Sequence, residues 1–149
     1  RVRFVLQASS LVREYEQALT LPLGFEKDPL LRSTITTVLV FDRPPDRERL
    51  TYTVDRASRV VPRLRQRVVA HAYSIAPPRW EVDPNFDLSY HLRWIRPAGD
   101  RTVRGVLDLA APIAMQGFDR ARPLWEFTVV DDLEDGRAAL IAKIHHSIT

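Results

Sequence analysis

The chain has 149 residues, 45% of them hydrophobic and 28% charged, which is enough for one compact domain with an apolar core. Cysteine is absent, which excludes disulfides, cysteine metal ligands and a thiol nucleophile. The net charge is +3 and almost all of the positive charge is arginine, since lysine occurs only at positions 27 and 143. No apolar run reaches the length of about 18 residues that a membrane-spanning helix needs.

The first third of the chain predicts a helix followed by a strand. Ser9 and Ser10 are candidate caps of a short helix. Residues 34–41 are rich in threonine, isoleucine and valine, which favours a strand, and the proline-containing segment after them predicts a turn.

The clearest helical pattern lies between Leu50 and Val68, where apolar residues recur at three- and four-residue steps. Pro62 predicts a kink or a break in this helix. Arginines occupy much of the opposite side, and a solvated helix face explains them more simply than a phosphate site.

The second half predicts a loop, a strand, a helix and a hairpin. Residues 76–86 contain three prolines, which predicts an irregular loop, and residues 88–95 are interpreted as a strand. Thr102 is a candidate cap for the helix that follows. Residues 125–130 and 138–145 predict a hairpin whose second strand is apolar on both faces, as in a central buried strand. The alternation of helices and strands places the chain in the α/β class.

His145 and His146 end the predicted buried strand, where a rigid scaffold meets a loop. Neighbouring side chains of a strand point to opposite faces, so only one of the two histidines can face a reaction centre. A histidine in this place suits a general base, although two ordinary core or surface histidines would give the same pattern. A metal site is not predicted, because His71 and His91 have no ligand spacing to the pair.

Three motifs occur in order along the chain. Trp80 to Leu88 followed by His91 resembles Trp-x-x-Asp-Pro-x-Phe-Asp-Leu-x-x-His, and Asp119 to Glu126 resembles Asp-Arg-x-Arg-Pro-Leu-Trp-Glu. The ending from Ile144 to Thr149 resembles the opening of His-His-x-x-x-Asp-Gly, whose Asp and Gly would come next. Together these motifs resemble the bacterial wax ester synthase/diacylglycerol acyltransferase family.

The resemblance implies an α/β fold of the chloramphenicol acetyltransferase type, with a mixed sheet flanked by helices. Residues 1–149 would form the amino-terminal lobe, and a second lobe outside this chain would close a tunnel between the two. In the prediction, His146 is the catalytic general base and His145 supports it. Pro123, Leu124 and Trp125 line or brace the tunnel, although Trp125 is equally explained as a core anchor.

The implied activity is transfer of a fatty acyl group from acyl-CoA to a diacylglycerol or a long-chain alcohol, which gives triacylglycerol or wax ester. Acyl-CoA is then a substrate, and neither a cofactor nor a metal is required. The expected location is cytoplasmic, and attachment to the inner face of the plasma membrane or to a lipid droplet stays open. Nucleic acid is not an expected partner, because no motif for it occurs.

Two further functions stay open at this point. A condensation-type acyltransferase of the same superfamily would take its acyl group from a carrier protein. A non-catalytic homologue would bind lipid without transferring anything.

Overall fold

The computed structural model describes residues 2–5, 34–69 and 79–148. The strands are β1 (Val2–Val5), β2 (Thr34–Phe41), β3 (Gln66–Val69), β4 (Arg79–Val82), β5 (Leu92–Ile95), β6 (Trp125–Val130) and β7 (Ala138–His145). The helices are α1 (Arg47–Val60), α2 (Leu88–His91) and α3 (Val103–Met115). Short 3₁₀ turns cover Pro62–Arg65, Glu134–Gly136 and His146–Ile148.

Five strands form one mixed sheet in the order β1-β2-β7-β6-β5. β7 lies at the centre and pairs antiparallel with both β2 and β6, whereas β5 runs parallel to β6. The predicted hairpin, the central position of its second strand and the α/β class are therefore confirmed. β3 and β4 form a separate antiparallel pair.

Apolar side chains of the central strand pack on both faces of the sheet. On one face, Val106 and Ala110 of α3 belong to one buried cluster with Ala139 and Ile141 of β7. On the other face, a second cluster contains residues from α1, β5, β6 and β7, namely Val54, Leu92, Trp125, Val129 and Leu140. The strand that carries the histidine pair is thus held between two apolar layers.

Helix α1 begins where the Asp46 side chain accepts a hydrogen bond from the Arg49 backbone N–H at 2.7 Å. The predicted break at Pro62 is confirmed, because α1 ends at Val60 and a 3₁₀ turn begins at the proline. The predicted continuation of the helix to Val68 is wrong. Residues 66–69 instead pair with β4, and this pairing between segments distant in sequence overrides the local helical spacing.

Two other predictions need correction. Residues 79–82 of the predicted irregular loop form β4. The predicted strand at 88–95 starts as the short helix α2, because the Asp87 carboxylate caps it by accepting from the Ser89 N–H at 2.9 Å. The cap at Thr102 is confirmed by its hydrogen bond from the Gly105 N–H. The helix predicted after Ser9 lies outside the described residues.

Candidate active site

The two histidines lie at the carboxyl end of the central strand, in different environments. His145 is the last residue of β7 and its side chain is buried, at 4% exposure. His146 opens the 3₁₀ turn and is exposed. The strand therefore ends at His145, as the predicted range 138–145 has it, and strand alternation does not set the direction of His146, because the chain bends there. One histidine of the pair is thus buried and the other accessible, and the roles of His146 as base and His145 as its support stay predictions.

His145 fastens the turn that carries His146. The backbone N–H of Ser147 donates to His145 Nδ1 at 3.1 Å, and the Ser147 hydroxyl oxygen lies 2.7 Å from the same nitrogen. A backbone N–H can only donate, so Nδ1 accepts and the neutral ring carries its hydrogen on Nε2. The buried ring thus acts as a cap for the turn and restricts the direction in which His146 can point.

The proline-leucine-tryptophan segment contacts the histidine pair through the backbone. Pro123, Leu124 and Trp125 are all buried, and the Leu124 carbonyl oxygen accepts a hydrogen bond from the His145 N–H at 2.9 Å. Trp125 Nε1 also donates to the carbonyl oxygen of Leu64 at 2.9 Å. The segment therefore supports the end of β7 through its hydrogen bond with His145, and the fully buried Trp125 packs in the core. A tunnel-lining role for these residues stays a prediction.

His91 is a buried histidine whose structural part the sequence alone did not reveal. Its ring stacks between Phe86 and Trp125, with centroid distances of 5.2 and 4.5 Å. His91 Nδ1 donates to the Trp125 carbonyl oxygen at 2.7 Å. Burial holds the pKa of His91 below its ordinary value, which favours the neutral ring. The signal was present in the sequence, since His91 and both aromatic residues belong to the quoted motifs.

An ion pair joins the two upstream motifs as well. The Arg122 guanidinium lies 3.4 Å from the carboxylate of Asp83, whose side chain is almost fully buried. The same guanidinium donates to the carbonyl oxygen of Asn85. Asp83 also accepts from the Asn85 backbone N–H at 2.9 Å. Hydrogen bonds and this ion pair therefore connect the three motifs to one another, and the histidine pair lies at one end of the connected set.

Several arginines around α1 have partners within the fold. Arg59 and Arg65 both form ion pairs with Asp55, at 2.9 and 2.7 Å. Arg63 stacks over the ring of Trp80 at 4.5 Å. These contacts favour the prediction that the arginines around α1 form a solvated helix face, with some of them paired inside the fold, over a phosphate site. Within the ranges that the structure describes, no group of histidine and carboxylate side chains is arranged to hold a metal ion.

Comparison with known sequences decides the family. A model of the wax ester synthase/diacylglycerol acyltransferase catalytic domain matches residues 28–149. The chain belongs to this family. A Mycobacterium tuberculosis protein named as a diacylglycerol O-acyltransferase is 44% identical over 124 residues, which is 83% of this chain and 25% of that relative. The chain therefore spans about a quarter of that curated relative.

Solved structures confirm the fold. A wax ester synthase/diacylglycerol acyltransferase from Marinobacter aquaeolei VT8 superposes with a TM-score of 0.61 at 24% identity, covering 79% of this chain and 30% of that chain. The first condensation domain of the calcium-dependent antibiotic synthetase gives 0.61 at 15% identity, covering 77% and 27%. The predicted chloramphenicol acetyltransferase-like lobe agrees with both likenesses.

Proposed function

We propose that the full-length protein is an O-acyltransferase that moves a fatty acyl group from acyl-CoA to a diacylglycerol or a long-chain alcohol. The observation that supports this most is the position of His146. It is an exposed histidine on a capped turn at the end of the rigid central strand, in a chain of this family. A general base needs such a combination of access and fixed position.

In the proposed reaction, His146 takes the proton from the acceptor hydroxyl as its oxygen attacks the thioester carbonyl carbon. The tetrahedral intermediate collapses with cleavage of the carbon–sulfur bond. Coenzyme A leaves as a thiolate and takes up the proton from the imidazolium, so the base returns to its starting state. Because the thiolate is a good leaving group, the proposal needs neither a covalent enzyme intermediate nor a cofactor.

The surrounding residues serve the base by fixing its position. His145 holds the turn through Ser147, and Leu124 holds the backbone of His145. Proximity and orientation of the reacting groups supply a large part of the rate gain in such transfers. In this proposal, a second lobe outside this chain would complete the tunnel and supply donors for the oxyanion.

Because the proposed substrates are lipids, we also propose that the protein is cytoplasmic and makes peripheral contact with a membrane or a lipid droplet. No helix in the described part of the chain is long and apolar enough to span a bilayer. Flotation of the full-length protein with vesicles of anionic and of neutral phospholipid tests this contact. Recovery of the protein in the bottom fraction with both vesicle types would contradict it.

The test of the main proposal measures thiol release from palmitoyl-CoA by the full-length protein, with hexadecanol or dioleoylglycerol as acceptor. His146→Ala and His146→Asn should each lose at least about 100-fold in kcat. The asparagine variant retains hydrogen bonding but lacks a base, so activity in this variant would show that His146 only binds. Equal thermal unfolding of the three proteins is the control.

The likeness to a condensation domain favours one alternative donor, an acyl group carried as a thioester on a carrier protein. An acylated carrier protein should be offered in the same assay. Transfer from the carrier together with no transfer from palmitoyl-CoA would replace the proposed donor. A wild-type protein that is silent with both donors, yet binds acyl-CoA or acylglycerol, would be a non-catalytic lipid-binding homologue.

A further inference from the structure

We propose that Lys143 is a positioning residue that fixes the His145–His146 strand end by tying it to the connection between α3 and β6. The inference rests on the proposed function, since it concerns the place of His146 during acyl transfer. Lys143 lies two residues before the histidine pair on β7 and is fully buried. Lysine is rarely buried to this extent unless it has partners.

Two partners of Lys143 lie in the connection that follows α3. Nζ donates to the carbonyl oxygen of Gln116, the C-terminal cap of α3, at 2.5 Å. Nζ also lies 4.4 Å from the centroid of the Phe118 ring. A cation that binds both a helix-terminal carbonyl and an aromatic face holds this connection against the central strand.

The connection in turn contacts the histidine pair. The rings of Phe118 and His145 form a T-shaped contact with a centroid distance of 6.3 Å. His145 then accepts from the Ser147 N–H in the turn that carries His146. A continuous path of contacts therefore runs from the Lys143 ammonium through Phe118 and His145 to the proposed base.

A polar row crosses the sheet at the level of Lys143. Lys143 lies directly opposite Thr36 on β2 and opposite Glu126 on β6. Glu126 is buried at 9% exposure, and among the described residues no hydrogen-bond partner reaches Thr36 Oγ1. Directly opposed residues share one face of a sheet, so the row separates the apolar cluster under α3 from His145.

Stability alone does not explain a charge in this place. A buried ion costs desolvation energy, and apolar residues of similar volume often stabilise a protein as well or better. Lys143→Met keeps the length of the side chain but removes the donor and the charge. This variant should therefore stay folded but lose the hydrogen bond to the Gln116 carbonyl oxygen and the cation–π contact with Phe118.

The experiment uses the full-length protein with the acyl-transfer assay. Lys143→Met should lower kcat by about 10- to 100-fold, with the KM of both substrates changed by less than about twofold. Val130→Ala, a buried substitution on the same face of the sheet, is the matched control for a loss of packing. Phe118→Leu should also lower kcat. The double variant Lys143→Met/Phe118→Leu should lower kcat by less than the product of the two single fold-losses.

A second readout does not depend on activity. Carbethoxylation of His146 by diethyl pyrocarbonate, followed by peptide mass spectrometry, should change in rate in Lys143→Met and stay as in wild type in Val130→Ala. An unchanged rate of His146 carbethoxylation in Lys143→Met would overturn the proposal. So would a double variant whose loss of kcat equals the product of the two single losses, or a loss of kcat that only follows the folded fraction. Failure of the proposed function shows separately, as activity that survives in His146→Asn.

Discussion

The backbone N–H of His145 donates to the carbonyl oxygen of Leu124 at 2.9 Å, so the histidine strand and the proline-leucine-tryptophan segment share a hydrogen bond. Trp125, which follows Leu124 in the chain, accepts a hydrogen bond from the His91 ring at its carbonyl oxygen and donates one from its indole N–H to the Leu64 carbonyl oxygen. These three hydrogen bonds, of 2.7 to 2.9 Å, connect His91, Leu64 and Trp125 to the end of the strand. The motifs therefore act as one scaffold under the proposed base.

The first prediction concerns the cap formed by His145. Asparagine can place its side-chain oxygen near the position of Nδ1 and accept from the Ser147 N–H, whereas leucine cannot. His145→Asn should therefore retain more kcat than His145→Leu, which should lose up to about 100-fold through misplacement of His146. The measurement is steady-state kinetics of both full-length variants at equal folded fraction. Equal losses in the two variants would argue against the cap.

The second prediction is a pH dependence of stability that comes from His91. Burial lowers its pKa in the folded state, so between the folded and unfolded pKa values the unfolded chain binds more protons. Stability from this group is thus complete above the unfolded pKa of about 6.5 and is lost as the pH falls towards the folded value. The slope from this single site is at most about 1.4 kcal/mol per pH unit.

Urea unfolding of wild type and His91→Gln between pH 5 and 7.5 measures this slope. The variant should be less stable at pH 7.5, and its stability should fall less steeply as the solution becomes more acidic. Parallel curves for the two proteins would show that His91 does not titrate between the folded and unfolded states.

The third prediction separates the two contributions of Trp125. Trp125→Phe keeps an aromatic ring against His91 but removes the hydrogen bond to the partly buried Leu64 carbonyl oxygen, which should cost about 1 to 3 kcal/mol because that acceptor loses its donor. Trp125→Ala also leaves a cavity and should cost about 3 to 5 kcal/mol. Both values come from the free energy of unfolding in urea. Similar losses for the two substitutions would mean that the hydrogen bond, rather than ring packing, dominates.

The local parts of the fold were predictable from the sequence, whereas the contacts between distant segments were not. Residues 34–41 and the final hairpin carry enough β-branched and apolar residues to be recognised directly. Residues 66–69 follow a helical spacing, and only their pairing with β4 makes them a strand. His91 looked remote from the histidine pair, because its contact with Trp125 joins residues 34 positions apart. The exposure of His146 also depends on the turn held by Ser147, which strand alternation does not describe.

The last prediction concerns the ion pair between Arg122 and Asp83. The Asp83 side chain is 1% exposed and that of Arg122 is 29% exposed, so removal of the arginine leaves a buried carboxylate without its counter-charge. Arg122→Ala should therefore cost about 3 to 5 kcal/mol, whereas the double variant Asp83→Asn/Arg122→Ala should recover part of that loss, because no buried charge is left unpaired. Thermodynamic unfolding of the two single variants and the double variant gives the coupling energy. Strictly additive losses would show that the two motifs are joined by packing and by the Asn85 carbonyl, with no contribution from the ion pair.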